Sequence, residues 1–124
     1  MIKSTVCYLV HDEKWLMLLR NKKQNDLNHG KWIGVGGKLK INETPYECMV
    51  REVIEETGYQ VQSALYCGII HFHYEHHEDE EIYVYQTSDY VGTLHECSEG
   101  TLAYIPKKDI LDLELWEGDR IFLE

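Results

Sequence analysis

Residues 36–59, GGKLKINETPYECMVREVIEETGY, hold a glycine pair, five glutamates and a helix whose two ends are both written in the sequence. Thr44 can accept a hydrogen bond from a first-turn N–H, Pro45 has no N–H to waste at the first helical position, and Glu47 can reach back to complete a capping box. Gly58 is the matching stop. At roughly 100° per residue, Tyr46, Met49, Val50, Val53 and Ile54 are predicted to gather on one side, with Glu52, Glu55 and Glu56 on another. A core face and an acid face are expected on one helix.

Glutamates at i, i+3 and i+4 repel one another, and a helix that needed only solubility would interleave them with lysines. A cation is therefore expected at Glu52, Glu55 and Glu56. Hard divalent ions such as Mg2+ are held by a few carboxylates, backbone carbonyls, waters and substrate phosphates, which an acidic helix beside a glycine-rich loop can supply. Arg51 lies one turn from both Glu47 and Glu55, and can pair with acids and hold them in place. Gly36 and Gly37 let backbone approach a metal or phosphate closely. A solvated surface helix explains clustered acids alone, but not the glycines, the arginine and the spacing together.

The spacing runs Gly37, five residues, Glu43, seven residues, Arg51-Glu52-Val53, one residue, Glu55-Glu56, one residue, Gly58. Over residues 37–59 it resembles an intact Nudix box, found in hydrolases that split a nucleoside diphosphate linked to another moiety; Tyr59 stands where the family usually has an aliphatic residue. The resemblance implies an α/β (α+β) Nudix fold with a mixed central sheet sandwiched between helices. It also implies two or three Mg2+ ions, with Mn2+ as a substitute, held by Glu52, Glu55, Glu56 and the Gly36 carbonyl. Glu99 would contribute from outside the helix, with Glu96 in reserve. Glu52 would orient or deprotonate the attacking water, Glu55 and Arg51 would complete the catalytic group, and Gly37, Glu43 and Gly58 would support it.

Asn21-Lys22-Lys23, Gly30-Lys31-Trp32, Glu99-Gly100 and Trp116-Glu117-Gly118-Asp119 extend the likeness toward MutT-type oxidised purine nucleoside triphosphatases. These convert 8-oxo-dGTP to the monophosphate and pyrophosphate and so keep the damaged base out of DNA. By that resemblance Trp116 stacks on the purine, Asp119 bonds its edge, and Ile33 stands where some relatives use an asparagine to pair with the oxidised base. Isoleucine offers no hydrogen bond, which implies weaker discrimination or a reader elsewhere. Other nucleotide-linked diphosphates, such as dinucleoside polyphosphates and nucleotide sugars, are the alternative substrates. A non-catalytic nucleotide-binding module is the alternative outside enzymes.

Outside the box, Thr5 to Val10 and Lys14 to Leu19 read as two strands split by a turn, and Trp32 to Val35 as a short strand leading into the box. Val61 to Tyr74 and Ile82 to Val91 read as a long hairpin, Thr101 to Ile105 as a strand closed by Pro106, and Lys107 to Leu113 as a short helix. Asp119 to Leu123 looks like the start of another. These elements alone predict α plus β with a mainly antiparallel sheet. Lys22, Lys23 and Lys38 are candidates for the substrate's phosphates, being basic residues near the box in an acidic chain. His71, His73, His76 and His77 invite a metal-site reading, but their alternation and polar surroundings favour a solvated hairpin tip.

The 124 residues are enough for one domain, 1–124, with one core. A net charge of -10 argues against direct binding to nucleic acid backbones, although bound metal can invert the field locally for a nucleotide substrate. Cys7, Cys48, Cys67 and Cys97 show no close pair and read as reduced thiols, mostly buried. With no membrane-length apolar run and a strand-like start at Met1, a cytoplasmic monomer or homodimer acting on a small-molecule nucleotide is expected.

Overall fold

The computed structural model describes residues 1–21, 31–73, 75, 78–97 and 100–112. In chain order these form β1 (Ile2–His11), β2 (Lys14–Leu19), β3 (Trp32–Ile33), β4 (Val35–Lys38), α1 (Pro45–Thr57), β5 (Tyr59–Phe72), β6 (Glu80–Gly92), β7 (Thr101–Pro106) and a 3-10 helix (Lys107–Asp112). The turn between β1 and β2 places Asp12 and Glu13 at φ 50° and 63°. Two successive left-handed residues match the twist of a two-residue hairpin.

The seven strands share one sheet, ordered β3-β2-β1-β6-β5, with β4 on β1 and β7 on β2. β1 organises it. On one side β1 meets β2 through Leu9–His11 and β4 through Ser4–Cys7. On its other side it runs parallel to β6, from Ile2 opposite Glu80 to Leu9 opposite Thr87. That single parallel pairing makes the sheet mixed, where hairpins alone predict an antiparallel one. The predicted Trp32–Val35 strand is interrupted at Gly34, so its first half pairs with β2 and its second with β1.

Successive side chains of β1 point to opposite faces, and each face has a core. Cys7 and Leu9 join Leu16, Val35, Met49, Val53, Val61 and Tyr85 beneath α1. Tyr8 joins Trp15, Met17, Val84 and Ile110 of the 3-10 helix on the other face. Helical layers therefore flank the sheet on both sides. Burying Met49 and Val53 contributes about 2 kcal/mol each.

The roll of α1 differs from the periodicity expected of it. Met49 and Val53 are fully buried, but Tyr46 and Ile54 remain 40% and 43% exposed, while Cys48, Glu56 and Thr57 are buried. The helix is turned toward β4 and β1, where the Cys48 thiol lies 3.5 Å from both the Thr5 hydroxyl and the Gly37 carbonyl. Acid and core consequently share one arc instead of occupying separate faces.

Candidate active site

The helix that carries the acids is fixed at both ends by its own sequence. Thr44 accepts from the Glu47 amide at 3.1 Å, and Glu47 accepts from the Thr44 amide at 2.9 Å. At the other end Gly58 adopts φ 86° and donates to the Ile54 carbonyl at 2.9 Å. No basic residue occupies the last turn. Glu55 and Glu56 therefore sit at the negative end of the helix dipole, an unfavourable placement that local helix stability does not explain.

Arg51 gathers the acids. Its Nε and Nη2 donate to the two oxygens of Glu43 at 2.7 and 3.0 Å, while Nη1 donates to Glu52 at 2.7 Å and to Glu55 at 3.2 Å. Nη2 also reaches the Lys38 carbonyl at 3.1 Å, which ties the box loop to the helix. The fork geometry makes this a two-point clamp on Glu43. The Arg51 hydrogen bond, with a further one from the Lys40 amide, lowers the Glu43 carboxyl to about 2. In return Glu43 raises the Arg51 pKa.

Two glycines bring backbone against the acids. A Cβ on Gly37 would lie 2.5 to 2.7 Å from the carboxylate atoms of Glu52, and one on Gly36 would collide with the Thr5 carbonyl of β1. Only glycines let β4 fit between β1 and Glu52. The Gly36 amide donates to Glu56 at 3.3 Å. Because the N–H and C=O of one strand residue face the same neighbour, the Gly36 carbonyl is turned toward Glu56 as well.

This donor set, three carboxylates from one helix and a strand carbonyl, has the hard-oxygen chemistry of a divalent-cation site. Among the described residues no three His, Cys, Asp or Glu side chains converge on one point as they stand; Glu52 and Glu55 share Arg51. Three acids around one guanidinium, with Glu56 a fourth on the same helix bonded to the Gly36 amide, leave negative charge that a cation would balance.

Of the remaining predicted residues, Lys38, Ile33, Glu96, His71 and His73 are described. Lys38 is exposed at the end of β4, opposite Ser4, and Ile33 is half-buried opposite Leu18. Glu96 is exposed, its carbonyl 2.8 Å from His95 Nδ1. Lys22, Lys23, Glu99, Trp116 and Asp119 lie outside the described residues, as do His76, His77 and the 119–123 segment. His71 and His73 both engage Asp79, at 3.1 and 2.8 Å, and these hydrogen bonds lower the Asp79 pKa.

Two participants escaped sequence reasoning. Cys48, buried beside Arg51 Nη2 at 3.7 Å, has a thiol pKa raised by desolvation. Its signal was the apolar character of a small residue one turn before Glu52, which the predicted core face left out. Asn21, bonded to Thr101 at 3.0 Å, joins the end of β2 to β7; the sequence marked it only as part of the Asn21-Lys22-Lys23 likeness, with no role of its own.

Beside the C-terminal end of α1, a cavity of about 330 Å³ is lined by Leu94, His95, Glu96, Cys97, Gly100, Thr101 and Leu102. His95 donates its amide to the Thr57 carbonyl at 2.9 Å, so this wall is attached to the acid-bearing helix.

The sequence matches the NUDIX domain over residues 1–124. It is 28% identical to the uncharacterized Nudix hydrolase YvcI of Bacillus subtilis (strain 168), over 98% of this chain and 77% of that protein. It is 27% identical to the oxidized purine nucleoside triphosphate hydrolase of Danio rerio, over 82% of this chain and 66% of that protein. The crystal structure of the MutT protein from Bacillus halodurans superposes with a TM-score of 0.86 at 24% identity, covering 99% of this chain and 80% of that one.

Proposed function

The chain belongs to the NUDIX family and is a hydrolase of nucleoside diphosphate-linked compounds, and from that premise we propose that it cleaves an oxidised purine nucleoside triphosphate, 8-oxo-dGTP foremost. The products are the monophosphate and pyrophosphate, the metal is Mg2+, and the role is to clear damaged nucleotides before they enter DNA. The observation that carries the hydrolytic reading is the packing of the Glu52 carboxylate against Gly37, beside a Glu56 that receives the Gly36 amide. The choice of substrate rests on the similarity to an oxidized purine nucleoside triphosphate hydrolase.

Glu52, Glu55, Glu56 and the Gly36 carbonyl would hold the metal, with Glu99 as a further contributor. When bound, Mg2+ neutralises phosphate charge and acidifies a water. Glu52 accepts a proton from the attacking water at a carboxylate oxygen, and Arg51 orients that carboxylate through the Nη1 contact. Glu43 fixes Arg51 in turn. Gly37 leaves the space into which the Glu52 carboxylate projects. Lys22, Lys23 and Lys38 would contact the phosphates, while Trp116, Asp119 and Ile33 would meet the base.

Steady-state hydrolysis of 8-oxo-dGTP against dGTP with Mg2+ tests the proposal. A higher kcat/KM for the oxidised nucleotide, with pyrophosphate and monophosphate released, is the expected result. Equal rates for both, or turnover of a dinucleoside polyphosphate or nucleotide sugar in their place, would overturn it.

A further inference from the structure

β1 alternates between the two faces of the sheet. Thr5 and Cys7 face α1, where Thr5 meets the Cys48 thiol, while Ser4, Val6 and Tyr8 face the opposite side. On that side Val6, Ile70 and Ile82 form an apolar strip, all three only partly buried. Ile82 stands opposite Ser4 on β1 and Ile70 on β5.

One polar pair interrupts the strip. The hydroxyl of Ser4, a residue only 5% exposed, donates to Glu80 Oε2 at 2.7 Å. Glu80 stands opposite Ile2 of β1 and Phe72 of β5, two positions from Ile82, so it shares the face of Ser4. A short bond from a buried hydroxyl to an ionised acceptor is among the stronger kinds, and it gives this carboxylate a fixed direction. The pair also adjoins the box. Ser4 stands opposite Lys38, and Thr5 opposite Gly37, so one strand spacing, about 5 Å, separates Ser4 from the strand against which Glu52 packs. A nucleotide with its phosphates at the glycine strand can therefore lay its base across β1, over Val6 and Ile82, with an edge toward Glu80.

Ile33 has no group with which to read that edge. Oxidation of guanine at C8 converts N7 from an acceptor into an N–H donor, and an ionised carboxylate only accepts. Such a group attracts the N7–H of the oxidised base and repels the N7 lone pair of the ordinary one. We propose, resting on the oxidised-purine reading above, that Glu80 is the specificity-determining residue that tells the two bases apart by accepting from N7–H. Ser4 is its positioning residue.

Calorimetric titration with 8-oxo-dGMP and with dGMP, without metal, reads base recognition apart from hydrolysis. The wild type is expected to favour the oxidised monophosphate. Glu80→Gln, whose amide can donate as well as accept, is expected to lower that preference at least about tenfold, since sites built on hydrogen bonds discriminate by far more than apolar fit. Ser4→Ala releases the carboxylate and is expected to lower it less. Glu81→Gln removes the same charge from the next position, on the other face, and is expected to leave the preference unchanged, with thermal melts confirming that each variant folds. If 8-oxo-dGTP is hydrolysed in preference to dGTP while Glu80→Gln binds like the wild type, Glu80 is not the reader and the oxidised-purine reading stands. Equal lowering by Glu81→Gln would also overturn the assignment, by reducing it to net charge. A wild type that binds both monophosphates alike overturns it too, and the kcat/KM values of the two triphosphates then decide the oxidised-purine reading separately.

Discussion

At the scale of single residues, the site is a contest between acids for one cation, and each contact predicts a consequence. Glu52→Gln keeps the volume beside Gly37 and removes the proton acceptor; a general base of this kind contributes about 10² to 10⁴ in kcat. A loss in that range with little change in KM is the expected outcome, and near-normal turnover in both Glu52→Gln and Glu56→Gln would remove the assignment. Gly37→Ala pushes a methyl into the Glu52 carboxylate, and a displacement of that size costs about a hundredfold in kcat. Glu43 supplies a pH dependence. Its carboxyl lies near 2 in the fold against an ordinary 4.5, so its stabilisation is complete above the ordinary value and is lost as pH falls through the folded one. Melting temperatures of the wild type should therefore drop more steeply between pH 4.5 and 2 than those of Glu43→Gln. The Arg51–Glu55 pair could be anticipated because the two lie one helical turn apart; the clamp on Glu43 and the contact to Glu52 could not, and Glu47, the other acid one turn away, serves the capping box instead. The burial of Glu56 could not be anticipated either, since it depends on how α1 rolls against β4, and no periodicity within the helix encodes that roll.

At the scale of elements, α1 holds its acids in place only while its ends hold. Thr44→Ala removes the acceptor for the Glu47 amide and should cost about 1 kcal/mol, a fall of about 4 °C in Tm for a chain of this size. Assayed well below the transition, that variant should retain its kcat, because the cap acts on helix stability and not on the acids. Gly58→Ala is expected to cost more. It forces a side chain into a left-handed conformation, and its Cβ would approach the Thr93 carbonyl to 2.5 Å. Thermal melts of the two variants side by side check the order. Both caps were legible residue by residue, from Thr44, Pro45, Glu47 and Gly58, because capping is satisfied within four residues. The break at Gly34 was not, since it arises where one strand passes from β2 to β1 and so depends on partners well upstream in the chain.

At the scale of the molecule, β1 joins the two halves of the sheet and holds β4 beside the acids. The Lys3 carbonyl accepts from the Leu39 amide at 3.0 Å, and the Ile2 amide donates to Asp79. Deleting Met1–Lys3 should therefore lower both Tm and kcat, the second because the Leu39 amide, just past β4, loses its Lys3 acceptor; unchanged kcat in a destabilised variant would show that the glycine strand is held by other means. Hairpins were legible from the alternation of apolar runs and turns, whereas the β1–β6 pairing joins residues nearly eighty apart and leaves no local pattern. That same pairing sets an order of events during synthesis. Domains form as their segments emerge at about 5 to 20 residues per second, and β1 emerges first yet meets β6 only after residue 87 has been made. Until then one edge of β1 stays open, with Tyr8 and Leu9 lacking part of their cover. A ribosome pausing between α1 and β6 would thus hold a chain in which the acid-bearing helix and glycine strand already exist but the strand that braces them is still waiting for its neighbour.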